Sequence, residues 1–188
     1  MALDSRFDQV LAAARDGEQW AVAALYRDLH PSVLRFLRAQ EPNDAEDLAA
    51  DAWLDMAEGL HRFSGGEQDF RRWAFTIARR RLVDARRRAA RRRTVTAPHE
   101  VLDAHLPAGD VEAEAMGNLG SAEAMARIAA LPPDQAEVVL LRVIGGFGAA
   151  EAAAIVGKRP GAVRALSHRA LLRLARELDR DSGEAVTR

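Results

Sequence analysis

The stretch FRRWAFTIARRRLVDARRRAARRR, residues Phe70–Arg93, is the most informative part of the chain for its fold and its partner. It carries eleven arginines against one acid, Asp84. Phe70, Trp73 and Ile77 recur at roughly helical spacing, which predicts a helix with one apolar stripe facing a core. Most charge runs are simply solvated. Eleven positive charges on one helix repel one another unless a polyanion neutralises them, so we expect a nucleic-acid partner.

Length and composition narrow the class of protein. A chain of 188 residues fits one or two small domains. The absence of cysteine excludes a disulfide framework and a thiolate zinc site, and it fits a reducing cytosol. Neither a signal peptide nor an apolar run of about 18 residues is visible, so we expect a cytoplasmic protein without membrane insertion. Alanine and leucine dominate while aromatics are 5%, which predicts an all-α fold.

Charge is segregated along the chain although the net charge is only −1. Residues 1–70 hold fourteen acids against six arginines, and residues 94–126 hold six acids with no Lys or Arg. Residues 152–176 reverse the sign, with six Lys or Arg residues, His168 and no acid. Two basic elements separated by acidic ones predict two DNA contacts on two small helical domains.

Two helices are predicted before the first break in the chain, from about Asp4 to Arg15 and from Glu18 to about Arg38. Pro31 should kink or interrupt the second helix, because proline removes a backbone donor and crowds the preceding turn. The aromatic residues of this segment are more readily explained as core than as ligand contacts. The core candidates are Trp20, Leu25, Tyr26, Leu29, Val33, Leu34, Phe36 and Leu37.

A third helix is predicted from Asn43 to about Leu60, where Asn43 and Glu46 have the spacing of a capping box. One stripe, formed by Leu48, Ala52, Met56 and Leu60, should face the core. A second stripe is acidic and is called the acidic ridge; it comprises Asp44, Asp47, Asp51, Asp55 and Glu58. The helix dipole explains acids in the first turn but not the later ones. The ridge therefore indicates a docking surface for a basic protein, with a solvated face as the alternative.

The segment Thr94–Ser121 is predicted to be an acidic linker, partly disordered in isolation, because it is rich in Gly, Pro and charge. His99 and His105 lie in it without neighbouring ligands, so we expect no metal site. The boundaries are then a first domain over residues 1–93, the linker over 94–121, a second domain over 122–180 and a tail over 181–188. No cofactor and no small-molecule substrate is indicated.

A helix-turn-helix is predicted in the second domain. Pro133 suits the first turn of a helix to about Ile144, with Ala136, Val139, Leu140 and Val143 apolar. A short helix, Ala149–Val156, a turn at Gly157 and a helix from Pro160 to about Leu178 follow. The buried stripe of the last helix is Val163, Leu166, Ala170 and Leu174. Its other face is basic and almost free of acid, as expected for a helix that reads bases and grips phosphates.

Taken together, residues 7–178 resemble the sigma-70 family of bacterial transcription initiation factors, in its compact extracytoplasmic-function group. The resemblance is carried by Asp44-Ala45-Glu46-Asp47-Leu48, by the run Phe70–Arg79 with Val83-Asp84, by Leu131-Pro132-Pro133-Asp134-Gln135, and by Val163-Arg164 with His168-Arg169-Ala170. The sequence departs from the family pattern in four places. Arg80 stands where Asn is common, Ala50-Asp51 where Gln-Glu is common, Arg159 at an expected N-cap where Ser is usual, and Ser167 where an apolar residue is usual.

The resemblance implies a non-catalytic specificity subunit with partners rather than substrates. It implies docking on the β′ clamp helices and the β flap of core RNA polymerase, binding of promoter DNA, and control by an anti-sigma factor. Core-polymerase binding would fall to Asp44, Asp47, Leu48, Asp51 and Asp55. Binding of the −10 element would fall to Ser64, Gly65, Arg71, Arg72, Trp73, Arg79, Arg80, Arg86, Arg87 and Arg88, with the loop receiving a flipped base. Binding of the −35 element would fall to Lys158, Arg159, Gly161, Arg164, Ala165, His168, Arg169 and Arg173.

Two other classes of function compete with this interpretation. A free-standing helix-turn-helix regulator would bind DNA without polymerase, and only the sigma interpretation requires the acidic ridge. A nuclease would need a carboxylate cluster within a basic cleft, whereas the acids here occupy a separate ridge.

Overall fold

The structure, a computed structural model, describes residues 6–95 and 119–186, which form eight α-helices and contain no strand. The predicted all-α fold is confirmed over these residues. No helix in this part of the chain is long and apolar enough to cross a bilayer. The helices are α1 (Phe7–Arg15), α2 (Gln19–Arg38), α3 (Ala45–Gly59), α4 (Glu67–Val95), α5 (Leu119–Ala129), α6 (Pro133–Val143), α7 (Ala149–Val156) and α8 (Pro160–Val186).

Helix α2 runs unbroken through Pro31, so the predicted interruption is wrong. Leu29 and Val33, on either side of the proline, are 1% and 0% exposed. Burial of these neighbours offsets the lost backbone hydrogen bond, since tertiary packing commonly overrides the intrinsic helix propensity of a single residue.

The core of α2 is confirmed at Leu25, Phe36 and Leu37, but not at the two aromatic residues nearest its start. Trp20 and Tyr26 are 47% and 41% exposed. Tyr26 instead stacks on His30, with ring centroids 4.4 Å apart, and contacts the ring of Trp53 on α3. A pattern of apolar spacing cannot distinguish a buried aromatic ring from one that covers its neighbours at the surface.

Helix α3 begins at Ala45, later than predicted, and it lacks the predicted capping box. Its N-cap is Asp44, without a side-chain cap, and Glu46 pairs with Arg38 of α2 instead. Leu48, Ala52 and Met56 are buried as predicted. Leu60 is half-buried in a short 3-10 turn, Leu60–Arg62, that follows α3.

The second group of helices, α5 to α8, forms the predicted helix-turn-helix. Helix α7 has the predicted bounds, and Gly157 ends it with φ of 67°, a left-handed conformation that glycine adopts without a steric penalty. Helix α6 begins at Pro133 as predicted, and Ala136, Val139 and Leu140 are buried. Val143, the fourth apolar position of the sequence pattern, is 65% exposed; it occupies the last turn of α6, beyond the packed stripe.

The predicted linker overlaps the ends of two helices. Thr94 and Val95 continue α4, and α5 begins at Leu119, ahead of the predicted start at residue 122. Residues 96–118, with the two linker histidines, lie outside the described part of the chain. The two helix groups touch where α4 packs against α7.

Candidate nucleic-acid interface

The arginines of α4 divide into two sets according to where their guanidinium groups lie. Arg71, Arg79, Arg81 and Arg86 are half-buried and pair with acids of other helices or loops. Arg80, Arg87, Arg88, Arg91 and Arg92 are exposed. Arg72 belongs to neither set, since it is half-buried and pairs with Asp69 of α4 itself. The helix therefore exposes less positive charge than its sequence indicates, because four of its ten described arginines pair with acids elsewhere in the protein.

Three members of the inward set tie α4 to α2, to α3 and to the loop between them, and the fourth, Arg79, pairs with Glu137 of α6. The Nε of Arg81 donates to Oδ2 of Asp55 at 2.6 Å, and a second bond from its Nη2 reaches the same carboxylate. This bond is the main cause that raises the pKa of Arg81. Arg86 donates to Oε1 of Glu41 at 2.7 Å and to the carbonyl oxygen of Gln40 at 3.1 Å. These two hydrogen bonds fix α4 to the loop between α2 and α3. A weaker pair joins Arg71 to Asp28 at 3.8 Å.

The outward set presents fixed positive charge to solvent. Arg80 and Arg87 lie 4.0 and 3.8 Å from Asp84, their neighbour on the same helix. Arg88, Arg91 and Arg92 form no ion pair with any described residue. Arg80, Arg87 and Arg91 fall at intervals of seven and four residues, so they line one face of the helix. Such a row matches the repeating phosphates of a nucleic-acid strand.

An open groove of about 930 Å³ lies between the end of α3 and the first turns of α4. Trp73 forms part of its wall, held among Phe63 and Phe70 with ring centroids 5.1 and 5.6 Å away. Gly59 permits this position, because a Cβ there would approach a ring carbon of Trp73 to 2.8 Å. Four arginines and four acids line the groove, and three of the arginines, Arg72, Arg80 and Arg81, lie within 4.0 Å of an acid. The guanidinium groups of Arg62 and Arg80 are exposed along it. An aromatic wall beside exposed cations is an arrangement that binds unstacked bases and their backbone.

The loop at the mouth of this groove is held by Asp69. Its Oδ2 accepts a hydrogen bond from the backbone N–H of Gly66 at 3.2 Å, and its Oδ1 accepts one from Arg72 at 2.7 Å. Gly65 has φ of 144°, and a Cβ there would lie 2.8 Å from that of Asp69. Ser64 and Gly65 are exposed. The loop therefore offers a shaped, polar backbone next to Trp73.

The acidic ridge is exposed only over part of its length. Asp44, Asp47 and Glu58 point to solvent, whereas Asp51 and Asp55 face Arg81 at 4.0 Å and within hydrogen-bonding distance. Leu48 is only 4% exposed, so it can support a docking surface only by fixing the position of α3. Leu54, 64% exposed, lies on the same helix and was not singled out from the sequence.

The helix-turn-helix exposes every residue that the resemblance assigned to the −35 element. Lys158 and Arg159 lie in the turn, and Gly161, Arg164, Ala165, His168, Arg169 and Arg173 lie on α8, all of them exposed. Lys158 also contacts Asp134 of α6 at 3.0 Å. Ser167 turns inward at 4% exposure, and its Oγ has no hydrogen-bond partner among the described residues. Of the stripe predicted to be buried, Val163, Leu166 and Ala170 are buried and Leu174 is half-buried. The stripe and the positions predicted to face DNA thus lie on different sides of α8.

Sequence reasoning missed the residues whose roles depend on contacts between helices. Gly59 and Phe63 set the orientation of Trp73, and neither follows a pattern in the chain. The Nε1 of Trp53 donates to Nδ1 of His30 at 3.1 Å across 23 positions. Burial is the main cause that lowers the pKa of His30. Each of these contacts joins residues of different elements, so no local pattern in the sequence could have found them.

Comparison with protein families agrees with this geometry. Residues 25–92 match Sigma-70 region 2 and residues 121–174 match Sigma-70, region 4. The chain belongs to the sigma-70 family. It is an alternative sigma factor of the extracytoplasmic-function (ECF) group, which directs promoter recognition. The region 2 match covers α3 and all but the last turn of α4, and the region 4 match covers the helix-turn-helix as far as residue 174 of α8.

Curated relatives support the ECF group. The chain is 32% identical to the ECF RNA polymerase sigma factor BldN of Streptomyces coelicolor, over 95% of this chain and 68% of that protein. It is 33% identical to the ECF sigma factor SigD of Mycobacterium tuberculosis, over 92% of this chain and 84% of that one. ShbA of Streptomyces griseus is 34% identical, over 86% and 89% of the two chains.

Two solved structures share the fold. CnrH, in complex with the cytosolic domain of CnrY, has a TM-score of 0.63 and 25% identity, and the match covers 92% of this sigma factor and 96% of that chain. The sigma factor RpoE of Bartonella quintana, in complex with the anti-sigma factor NepR, also has a TM-score of 0.63, with 22% identity over 84% and 96% of the two chains.

Proposed function

We propose that three surfaces of this sigma factor divide the work of promoter recognition. The exposed part of the acidic ridge docks on core polymerase, the groove and outward arginines of α4 bind the −10 element, and the exposed face of α8 reads the −35 element. The observation that carries the proposal is the division of α4: its inward arginines hold the fold and leave an aligned outward row beside Trp73. The chain supplies specificity, and the polymerase supplies catalysis.

Docking through the ridge rests on charge that no other part of the described chain neutralises. Asp47 is exposed and forms no ion pair with a described residue. Opposite charges across an interface accelerate encounter and fix its register. The proposed partner surface is therefore basic, and the resemblance to the sigma-70 family identifies it as the clamp helices of β′. The β flap is the proposed partner of the second domain.

The docking proposal is tested by pull-down with purified core polymerase. We expect Asp47→Lys to weaken the complex by about tenfold or more, since a like-charge contact replaces an attractive one. Asp8→Lys, an equal charge change at an exposed acid of α1, is the matched control and should bind like the parent chain. Equal affinity for both variants would remove the ridge from the interface.

The DNA-binding proposal separates base reading from phosphate binding. Arg164 lies near the start of α8, where side chains of a recognition helix reach base edges, and Arg173 lies farther along, where they reach phosphates. Run-off transcription with core polymerase on a randomised promoter pool should show that Arg164→Ala changes the preferred −35 sequence. Arg173→Ala should instead weaken binding to all −35 sequences alike. It should also reduce the slope of log binding constant against log salt concentration by about one. Indistinguishable effects across the pool would contradict the assignment.

The −10 proposal combines stacking and charge. Trp73 and the loop Ser64–Gly66 offer a stacking surface and a polar backbone for an unpaired base, and Arg80, Arg87 and Arg88 offer charge for the strand that carries it. On a promoter with a pre-melted −10 segment, Arg88→Ala should lose affinity in a salt-dependent manner. The same variant should keep its promoter preference, because phosphate contacts carry no sequence information.

An anti-sigma factor is proposed as a further partner. The likeness to CnrH, solved in complex with the cytosolic domain of CnrY, supports this extension to the present chain. A cognate anti-sigma factor should compete with core polymerase for the free sigma factor in a binding assay. A candidate that binds while leaving polymerase affinity unchanged would not be that inhibitor.

A further inference from the structure

Two charged side chains in the groove beside Trp73 have no partner in the described part of the chain. Glu58, in the last turn of α3, and Arg62, at the end of the 3-10 turn that follows, both line the groove and are exposed. Neither forms an ion pair or a side-chain hydrogen bond with a described residue. The other six charged residues of the groove lie in pairs, which are Asp55 with Arg81, Asp69 with Arg72, and Asp84 with Arg80.

Both unpaired residues are next in the chain to a residue that contacts Trp73. Gly59 follows Glu58, and it lies so close to the Trp73 ring that a Cβ there would be 2.8 Å from a ring carbon. Phe63 follows Arg62, and its ring centroid is 5.1 Å from that of Trp73. Both aromatic rings are half-buried and line the groove. One carboxylate and one guanidinium group are therefore anchored beside the surface on which an unpaired base would stack.

Glu58 and Arg62 do not neutralise each other. Side chains four positions apart on an α-helix commonly form an ion pair. Here α3 ends at Gly59 and a 3-10 turn carries the chain to Arg62, so the two charged groups stay more than 4.0 Å apart. A carboxylate only accepts hydrogen bonds and a guanidinium group only donates them. The groove thus presents one free acceptor and one free donor to a ligand.

Glu58 lies on the groove rather than at the docking end of the acidic ridge. Asp47 is in the first turn of α3 and Glu58 is in its last turn, 11 positions later. At 1.5 Å per residue that separation is about 17 Å along the helix. The charge of Glu58 is therefore available to the groove without being needed for the contact proposed at Asp47.

The Watson–Crick edges of the four bases differ in what they offer to such a pair of side chains. Guanine and cytosine each carry one exocyclic amino group, which donates, and one carbonyl oxygen, which accepts. Adenine has the amino group without a carbonyl oxygen, and thymine has two carbonyl oxygens without an amino group. An extruded base is read along this edge. Guanine and cytosine can therefore satisfy both side chains, whereas adenine and thymine leave one of them unpaired.

We propose that Glu58 and Arg62 select the unpaired base of the −10 element, with Glu58 accepting a hydrogen bond from the exocyclic amino group and Arg62 donating one to the carbonyl oxygen. The groove therefore takes guanine or cytosine, because a site built to pair the polar groups of its ligand rejects an analogue that lacks them. Thymine is rejected more strongly than adenine, since it places a carbonyl oxygen against the Glu58 carboxylate. The inference rests on the proposed function in taking this groove as the site of an unpaired base.

The test uses the full chain bound to core polymerase and fluorescent promoter duplexes with a pre-melted −10 segment. Each unpaired position carries A, C, G or T in turn, and anisotropy gives the affinity of the holoenzyme for each duplex. At one position the parental holoenzyme should bind guanine or cytosine about tenfold more tightly than thymine and about fivefold more tightly than adenine. The ratio between the guanine and cytosine duplexes identifies the better fit.

Two variants should change this order in different ways. Glu58→Gln supplies an amide that donates as well as accepts, so it should lose most of the discrimination against thymine and keep that against adenine. Arg62→Ala removes the donor, so it should lose the discrimination against adenine and keep that against thymine. Glu18→Gln and Arg15→Ala make the same changes at exposed residues where α1 ends and α2 begins. These two matched controls should keep the parental order of the four bases.

Four results would overturn the assignment. The first is a parental holoenzyme without a base preference at any unpaired position, and the second is a parental base order in Glu58→Gln. The third is an equal loss of affinity for all four bases in both groove variants, which would reduce their role to charge. The fourth is a loss of core-polymerase binding by Glu58→Gln, which would place Glu58 in the docking surface. Failure of the proposed function would look different: the parental holoenzyme would bind the pre-melted duplex no more tightly than the fully paired one.

Discussion

The ion pair between Arg81 and Asp55 should couple α3 to α4 by about 1–2 kcal/mol. Two unit charges about 4 Å apart attract by about 4 kcal/mol at an effective dielectric constant of 20. Desolvation and side-chain ordering offset much of that attraction: exposed pairs retain roughly 0.2–1 kcal/mol, and breaking a buried pair costs roughly 3–5 kcal/mol. With side chains 32% and 29% exposed, the pair lies between those limits.

A double-mutant cycle measures this coupling. The free energy of unfolding in urea is determined for the parent, Arg81→Ala, Asp55→Ala and the double variant. The coupling should also fall at high salt, because part of the pair is in contact with solvent. A coupling below about 0.5 kcal/mol would refute the reasoning and return Asp55 to the set of acids free for polymerase docking.

Three further predictions concern packing and protonation. Gly59→Ala should lower the free energy of unfolding by about 1–3 kcal/mol and shift the tryptophan fluorescence, because the added Cβ would meet the Trp73 ring. Gly66→Ala is the control: a Cβ there has open space around it, so the fluorescence should not shift. Ser167→Ala should raise the free energy of unfolding by about 1 kcal/mol in urea titrations, since it removes a buried hydroxyl without a partner; a destabilised variant would contradict this. Burial lowers the pKa of His30 in the folded chain. Between the folded and unfolded pKa values of this group the unfolded chain therefore binds more protons, so the contribution of His30 to the free energy of unfolding is full above about pH 6.5 and is lost as the pH falls below it. His30→Leu should reduce the loss of stability between pH 7 and 5.5, and an identical loss in both proteins would exclude His30 as its source.

The fold was accessible from the sequence because its signals are local and repeated. The apolar stripes of α3 and α8, the glycine turn after α7 and the proline at the start of α6 all act within a few residues. Errors occurred where a local preference met tertiary packing. Pro31 is accommodated because its neighbours are buried, and Glu46 leaves the predicted capping box because Arg38 of another helix lies within reach.

The sequence predicted which residues form the candidate site, but not which of its arginines pair within the protein and which face solvent. The sequence places eleven arginines in one stretch, yet nothing in their spacing distinguishes Arg80 from Arg81. That distinction depends on Asp55, whose carboxylate lies across the helix interface 26 positions earlier. The pairing of Arg79 with Glu137, 58 positions apart, depends likewise on how two helix groups meet, which no local pattern encodes.

The separation of inward and outward arginines on α4 has a consequence for how the strength of promoter binding can diverge. Residues that hold the fold and residues that face solvent alternate along one helix, so a substitution at one set need not disturb the other. A library that randomises Arg80, Arg87, Arg88 and Arg91 should therefore vary the affinity and the salt dependence of DNA binding on a constant scaffold. Variation at Arg81 or Arg86 would instead be filtered first by folding. A duplicated copy of such a gene could acquire its own level of promoter activity through a handful of changes on a single face.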